Sequence, residues 1–296
     1  MTILERVLAG EILVADGAMG TMLMERGLPA GAPPESINRD RPDLLEEIAR
    51  LYREAGADMV QTNTFGASPL KLALFGLENE TETINRAAVR AARLGAVGAY
   101  VAGSCGPTGR LLEPYGDTDP GLVAEGFRRQ IAALAAEGVD MIIVETMTDV
   151  HEACLAVRAA KEIAPDLPVA ATMTFDPTPK GYFTIMGVSV PEAAGKLAEA
   201  GAEIVGSNCG NGTEKMIAIA RDFRAATRLP LLFQANAGIP ESSSGALVYP
   251  ETPGFFGRQA EGLFDAGASI VGGCCGSTPA HIAALRRTAD ARRRNA

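Results

Sequence analysis

The chain contains no tryptophan, and aromatic residues make up only 5% of it. Proteins that stack nucleic-acid bases depend on aromatic side chains, so this composition argues against such a platform. Basic charge is also scarce, because 27 Lys and Arg residues face 36 Asp and Glu residues and the formal net charge is −9. A broad electrostatic surface for nucleic acid or for an anionic membrane is therefore not expected.

Long apolar runs and a disulfide framework are missing as well. No segment approaches the roughly 18 apolar residues of a membrane span. Residues 1–17 lack the basic and then apolar leader of an exported protein. The five cysteines are odd in number and are not spaced like those of a small secreted domain. We therefore expect a cytoplasmic protein whose cysteines are thiols, thiolates or metal ligands.

A repeated unit, a short apolar run followed by an amphipathic helical pattern, fills the 296 residues. The runs are rich in Val and Ile and nearly continuous in hydrophobicity, which indicates parallel strands buried on both faces. They cover residues 11–16, 58–63, 99–104, 140–145, 168–173, 203–208, 230–235 and 269–274. The helices are predicted at 41–56, 81–95, 122–138, 150–164, 191–201, 213–227, 254–267 and 278–293.

Eight such units with right-handed crossovers predict a closed (β/α)8 TIM barrel, an α/β fold, as a single domain over residues 1–296. Several helices end in a phrase such as EAGAD or AEGVD, where Gly stops the helix and the next polar residue opens a strand. An open doubly wound sheet is the alternative, but the sequence has no dinucleotide glycine fingerprint. The longest irregular stretches, 24–40, 105–120 and 236–253, each follow a strand.

The carboxyl ends of the strands carry the catalytic residues of such barrels. Here these ends are polar and rich in thiols, although the strands themselves are apolar. The residues at these positions are Asp16, Gly17, Gln61, Asn63, Ser104, Cys105, Glu145, Thr172, Thr174, Asn208, Cys209, Gln234, Asn236, Cys274 and Cys275.

Three cysteines lie at the ends of two next-but-one strands. Cys209 closes the sixth strand, and Cys274 with Cys275 closes the eighth, where neighbouring glycines give the backbone freedom to turn both thiols toward one ion. Three thiolates predict a zinc ion with one open position, the arrangement of a catalytic site. A strained redox pair is the alternative. We interpret Cys154 as a buried small hydrophobe on a helix and Cys105 as a loop thiol.

The segments GSNCGNG (206–212) and VGGCCGST (271–278) resemble the zinc motifs of the homocysteine S-methyltransferase family. That family includes the homocysteine-binding module of cobalamin-dependent methionine synthase and the betaine– and S-methylmethionine–homocysteine methyltransferases. The likeness extends to DGAMGT (16–21), QTNTFGAS (61–68), VETM (144–147) and QANAG (234–238), and so covers essentially the whole chain. The family fold is a TIM barrel, which agrees with the repeat of eight units.

The resemblance implies a function for particular residues. It implies one zinc ion per chain on Cys209, Cys274 and Cys275, the residues that activate homocysteine. It also implies that Asp16 and Glu145 hold the amino group of homocysteine. The backbone at Gly17 and Ala18 then receives the homocysteine carboxylate. Asn236 matches an asparagine that approaches the metal when substrate is absent, although Ala235 replaces the usual proline before it.

Zinc would keep the homocysteine sulfur as a thiolate, whereas a free alkyl thiol is mostly protonated at neutral pH. The resemblance therefore predicts methylation of homocysteine to methionine. Because about twenty residues follow Cys275, we expect no cobalamin or folate domain here. We expect a methyl group from a separate corrinoid (methylcobalamin) protein, as in a divided methionine synthase. The alternative is a small donor, S-methylmethionine or betaine.

Two other classes of function remain open. A TIM-barrel lyase or aldolase would need a Schiff-base lysine at a strand end, and none of the eight ends carries one. A zinc-binding scaffold subunit would hold metal that homocysteine cannot reach. His151 and His281 both lie in the first turn of a predicted helix, and we expect both on the surface.

Overall fold

The computed structural model describes residues 1–29, 31–243 and 246–295. Its largest sheet has eight parallel strands, each paired with the next along the chain and the last paired with the first. Numbered β1 to β8, they span Leu13–Val14, Met59–Gln61, Tyr100–Cys105, Met141–Met147, Val169–Met173, Ile204–Asn208, Leu231–Ala235 and Ile270–Gly273. An isolated parallel bridge between Ala15 and Met59 joins β1 to β2. The predicted barrel is confirmed, and the open-sheet alternative is wrong.

Eight helices surround the barrel and follow the predicted ranges to within about two residues. Numbered α1 to α8, they span Pro42–Glu54, Thr81–Gly95, Pro120–Ala136, Val150–Ile163, Val190–Ala200, Thr213–Ala226, Pro253–Asp265 and Pro279–Asn295. Four begin with a side-chain cap, since Asp119, Asp149, Ser189 and Thr252 each accept a hydrogen bond from the first turn. None of the helices in the described residues combines the length and the apolar character that crossing a membrane requires.

The repeated turn from helix to strand has a physical reason. Its glycines adopt positive φ values, as at Gly56, Gly138, Gly201 and Gly267. After the first three of these glycines, an acidic residue two positions further on binds the neighbouring strand. Asp58 Oδ2 accepts a hydrogen bond from the Val14 N–H at 2.9 Å, and Asp140 and Glu203 accept equivalent bonds from the strands beside them. These contacts fix the amino ends of the strands, opposite the catalytic face.

The core has an inner and an outer layer. Inside the barrel, Leu13, Met59, Ile143 and other strand residues pack together, and Ile3 and Val7 join them from below. Those two residues belong to a short helix, Ile3–Leu8, which closes the amino end of the barrel. The outer layer fills the space between strands and helices. The inside of the barrel is therefore solid, and a cavity is found at its carboxyl end.

The loops after the strands contain more structure than the sequence indicated. The stretch 24–40, predicted as irregular, contains the helical segments Pro34–Ser36 and Ile37–Asp40 and the end of Met19–Glu25. Within 236–253 lies a hairpin of Glu241–Ser243 and Ala246–Val248, whose residues 244 and 245 lie outside the described part. A second hairpin joins Asp176–Thr178 to Gly181–Phe183. The remaining short helices are Pro69–Leu72, Ala73–Phe75 and Glu78–Glu80.

Candidate active site

A cavity of about 430 Å³ opens at the carboxyl ends of the strands. This volume is within the usual range of small-molecule sites. Three groups of side chains line it. These are carboxylates and amides, three cysteines, and a set of apolar side chains that we call the apolar wall. The apolar wall consists of Met19, Met24, Pro34 and Phe65.

The three predicted zinc ligands come together. The sulfur atoms of Cys209, Cys274 and Cys275 all lie within 4.8 Å of one another, and the Cys209 and Cys275 sulfurs are 3.9 Å apart. Two sulfurs bound tetrahedrally to one zinc at about 2.3 Å would be about 3.8 Å apart. The donor set and its spacing therefore fit Zn²⁺. Among the described residues it is the one group of His, Cys, Asp and Glu ligands with such spacing.

The backbone brings the thiols together in a way that the sequence indicated only in part. Cys209 has a φ of 62°, which an L-residue rarely adopts. Gly276 has a φ of 77°, and a Cβ there would collide with the Tyr249 ring. At Gly273 the reason is close approach, because a Cβ would collide with Ser277 Oγ. Glycine is therefore needed beside the cysteine pair for space as well as for conformational freedom.

The metal-free thiols share their protons. Hydrogen bonds from the Cys209 and Cys274 thiols lower the pKa of Cys275 to about 3. Hydrogen bonds to the Cys209 and Cys275 sulfurs, together with burial, raise the pKa of Cys274 well above its ordinary value. One thiolate is thus stabilised by two neighbouring thiols. A divalent cation that takes the place of these protons would hold all three sulfurs as thiolates.

Glu145 lies on β4 where the strand departs from regular pairing. The register between β4 and β5 shifts between Val144 and Met147, and Thr146 has a φ of 58°. The Glu145 carboxylate accepts hydrogen bonds from Ser104 Oγ and, at 2.8 Å, from Gln61 Nε2. Burial nevertheless raises the pKa of Glu145 to about 7. The buried carboxylate is therefore costly to ionise unless a cation approaches it.

Asp16 is the second buried carboxylate of the cavity. Its Oδ2 accepts a hydrogen bond from the Gln61 backbone N–H at 2.8 Å, whereas its buried Oδ1 has no partner. Burial, together with the nearby Glu145 carboxylate, raises the pKa of Asp16 well above its ordinary value. No Lys or Arg is among the described residues that line the cavity. The pair thus forms a site that a small cation would satisfy.

The segment Gly17–Ala18, part of the cavity lining, is fixed by hydrogen bonds to other parts of the chain. The Ala18 N–H donates a hydrogen bond to Ser277 Oγ at 3.1 Å, and Tyr52 donates from its hydroxyl to the Ala18 carbonyl at 2.9 Å. Gly17 and Ala18 both line the cavity. Because the Ala18 N–H already has a partner, its predicted use by a substrate carboxylate would require that bond to be shared. This assignment stays a prediction.

Asn236 lies just behind the cavity rather than on its surface. The side chain is 5% exposed, and its Oδ1 has no hydrogen-bond partner. Its backbone N–H donates to the Asn211 carbonyl, and the next residue, Ala237, donates to the Cys275 carbonyl. The loop after β7 is thus tied to both cysteine segments. The predicted approach of Asn236 to the metal stays a prediction.

Gln61 and Asn208 are two of the strand-end residues to which the sequence assigned no role. Gln61 contacts both carboxylates, because its backbone N–H binds Asp16 and its side chain binds Glu145. Asn208 lies between Glu145 and Cys274. The available signal was the same for both, a polar residue at the end of an apolar strand. That signal cannot show which neighbour an amide side chain contacts.

Two sequence interpretations need correction. His281 is buried, with Nε2 2.8 Å from the Glu251 carbonyl and its ring against Phe256, because α8 packs closely on α7. His151 is exposed, as expected.

Cys105 is the last residue of β3, fully buried, rather than a loop thiol. Cys154 is buried on α4, as predicted.

Together these groups define a class of site. Three convergent thiols can hold a soft divalent cation. Beside them, two buried carboxylates can bind a small cation. A short amino acid that carries both a thiol and an ammonium group matches both halves. Thiolate ligands leave the metal little positive charge, so such a site suits alkyl transfer to sulfur better than activation of water.

Comparison with known proteins agrees with this class. Residues 13–289 match the homocysteine S-methyltransferase family, and the chain belongs to that family. The chain is 33% identical over 306 residues to the S-methylmethionine–homocysteine S-methyltransferase BHMT2 of Pongo abelii, covering 96% of this chain and 80% of that protein.

Two further similarities extend the comparison. The methionine synthase of Mycobacterium tuberculosis is 33% identical over 296 residues, which cover 93% of this chain. The chain spans only about a quarter of that protein, 24% of its length. Among solved structures, the homocysteine methyltransferase MmuM from Escherichia coli, in its metallated form, is 25% identical with a TM-score of 0.79. The match covers 96% of this chain and 99% of that one.

Proposed function

We propose that the chain is a zinc-dependent homocysteine S-methyltransferase that forms methionine, with residues 1–296 acting as one homocysteine-binding domain. The observation that carries the proposal is the position of Cys209, Cys274 and Cys275 beside the Asp16 and Glu145 carboxylates. The three cysteines would hold one zinc ion per chain. When bound, zinc supplies the Lewis acidity that keeps a fourth sulfur deprotonated at neutral pH.

The other residues of the cavity bind and orient the substrate. Asp16 and Glu145 take the ammonium group, and its charge offsets the cost of ionising two buried carboxylates. Gln61 holds the two carboxylates at a fixed separation. With its amine fixed, homocysteine points its thiol toward the cysteine cluster and exposes the sulfur to the apolar wall. The methyl donor would approach from that side.

We assign the methyl donor to a separate methylcorrinoid protein. Two observations support this source: the identity with a methionine synthase, and the apolar side chains at the open mouth of the cavity. Met24 and Phe65 are 58% and 38% exposed there, as a surface for a transient partner would be. A methylcorrinoid would supply the methyl group and retain the electron pair of its cobalt–carbon bond, while the homocysteine sulfur would supply the electron pair of the new S–CH₃ bond.

A small cationic donor is the second candidate. It is favoured by the match to 80% of a protein named for S-methylmethionine and to 73% of the betaine–homocysteine S-methyltransferase 1 of Rattus norvegicus. The cavity lining also includes a further buried carboxylate, Glu35, which directly follows Pro34 of the apolar wall. That charge would attract a sulfonium or quaternary ammonium group.

A comparison of donors distinguishes the two candidates. We expect the zinc-loaded protein to form methionine from homocysteine slowly with free methylcobalamin and faster with a methylated corrinoid protein, because a carrier protein orients the methyl group. Methionine is measured by chromatography in parallel reactions with betaine and with S-methylmethionine. Rapid turnover with either small donor, together with failure of both corrinoid donors, would replace the first candidate with the second.

A further inference from the structure

Asn208 is a fully buried amide at the end of β6, immediately before the first cysteine. Its Oδ1 accepts hydrogen bonds from the Thr146 backbone N–H and from Thr172 Oγ1, both at 2.7 Å. A backbone N–H can only donate, so these contacts fix which end of the amide is the oxygen. The Nδ2 group must therefore face the opposite way, toward the floor of the cavity.

The Nδ2 group lies among three acceptors from separate parts of the chain. It is 2.7 Å from Thr146 Oγ1, 3.2 Å from Glu145 Oε2 and 4.0 Å from Cys274 Sγ. Only two hydrogens are available for these three atoms. A single amide therefore links the carboxylate that we assign to the substrate amine with a sulfur that we assign to zinc.

Asn208 also holds a strained part of the backbone. Thr146, a β-branched residue at a φ of 58°, is bound by Asn208 at both its N–H and its hydroxyl. Such a conformation persists only where the surroundings enforce it. Thr146 follows Glu145 directly, within the shifted register of β4. The direction of the Glu145 side chain thus depends on the Asn208 amide.

We infer that Asn208 is a positioning residue that couples the ammonium site to the metal site. It aims Glu145 into the cavity and holds its Nδ2 group 4.0 Å from the Cys274 sulfur. When an ammonium group binds Glu145, that carboxylate needs the Asn208 hydrogen less, and the hydrogen becomes available to the sulfur. The inference rests on the proposed function, and it adds a residue through which substrate binding reaches the metal ligands.

The variant Asn208→Asp tests this role. It keeps an oxygen for Thr146 and Thr172 but replaces the donor with an acceptor that faces Glu145. Outer partners of metal ligands typically contribute 10- to 100-fold to metal affinity or activity. We therefore expect zinc to leave about 10- to 100-fold faster in the presence of a chelator, and homocysteine affinity to fall by a similar factor. A colorimetric zinc assay measures the rate of zinc release, and calorimetry measures homocysteine affinity.

Asn85→Asp is the matched control. Asn85 is a fully buried amide on α2 whose Nδ2 donates only to the carbonyls of Ala67 and Thr81. Like Asn208→Asp, the Asn85→Asp variant places a carboxylate in the core. Residue 85, however, is not part of the cavity lining. We expect this variant to melt at a lower temperature while its zinc release and homocysteine affinity stay within about twofold of wild type. Equal losses of zinc retention and homocysteine affinity in both variants would show that Asn208 has only a structural role.

A double-mutant cycle with Glu145→Gln tests the coupling itself. If Asn208 acts on the substrate through Glu145, then Asn208→Asp changes homocysteine affinity much less in the Glu145→Gln background than in wild type. Additive effects would overturn the inference. If Asn208→Asp does not fold, Thr172→Val gives the answer, because it removes only one hydrogen bond to Asn208. Unchanged homocysteine affinity and zinc release in that variant would then overturn it.

The failure of this inference differs from the failure of the proposed function. Wild-type protein that binds neither zinc nor homocysteine would overturn the proposed function. Wild-type protein that binds both, with an Asn208→Asp variant that binds both equally well, would overturn only the role of Asn208.

Discussion

Replacing Cys274 with alanine should lower the zinc content from about one ion per chain to background and abolish methionine formation. The variant keeps only two of the three protein ligands of zinc. The remaining position of the metal cannot compensate, because it must accommodate the substrate. Since outer partners of a metal contribute 10- to 100-fold, the loss of a direct ligand should cost more than about 100-fold in activity. Metal analysis of the purified, reduced protein and a methionine assay measure the two effects.

Cys154→Ala is the control for this experiment. Cys154 is a buried thiol on α4, with its sulfur 3.5 Å from the Lys196 carbonyl, and lies away from the cavity. The variant should keep its zinc and lose only some packing energy. Full zinc occupancy in Cys274→Ala, or loss of zinc in Cys154→Ala, would contradict the assigned ligand set.

Glu145→Gln should keep zinc but weaken homocysteine binding by about 1.5–3 kcal/mol, the usual contribution of a hydrogen bond to a charged group. That loss corresponds to an affinity roughly 10- to 150-fold lower. Because burial raises the pKa of Glu145 to about 7, homocysteine affinity of the wild type should also fall as the pH drops below about 7. Glutamine does not titrate, so this part of the pH dependence should disappear. Calorimetric titration at several pH values measures both effects.

Glu35→Gln is the matched control, since Glu35 is a buried carboxylate of the same cavity that is not assigned to homocysteine. Unchanged homocysteine affinity in Glu145→Gln, or an equal loss in Glu35→Gln, would count against the role of Glu145. Thermal melting gives an independent check. The ionisation of Glu145 should cost the ligand-free wild type on the order of 3 kcal/mol as the pH rises from 4.5 to about 7, because burial raises its pKa to about 7. Glu145→Gln should lose that much less stability than the wild type over the same pH interval.

The barrel could be predicted from the sequence because its determinants are local and repeated. Buried parallel strands need continuous apolar runs, and four of the helices are followed by a glycine at positive φ, where another residue would be strained. The predicted ranges therefore match the helices closely. The loops were harder. The hairpin Asp176–Thr178 with Gly181–Phe183 carries no apolar alternation, so its pairing follows from the turn rather than from a pattern along the sequence.

The cysteine cluster was predictable because a closed barrel brings the ends of β6 and β8 together. The partners of amide side chains were not, because they depend on rotamers and on strand register. Asn208 illustrates this, since its contacts come from β4, β5 and the segment after β8. For His281, the prediction of an exposed side chain was wrong. Its place in the first turn of α8 suggested exposure, but the packing of α8 against α7 buries the ring.

X-ray absorption at the zinc edge, with and without homocysteine, tests whether three cysteines bind zinc and whether homocysteine adds a fourth sulfur. Sulfur ligands lie at about 2.3 Å from zinc and nitrogen or oxygen ligands at about 2.0–2.2 Å, so the two kinds can be counted separately. We expect three sulfurs and one lighter ligand in the zinc-loaded protein, and four sulfurs after homocysteine is added. A zinc coordination that homocysteine leaves unchanged would contradict it.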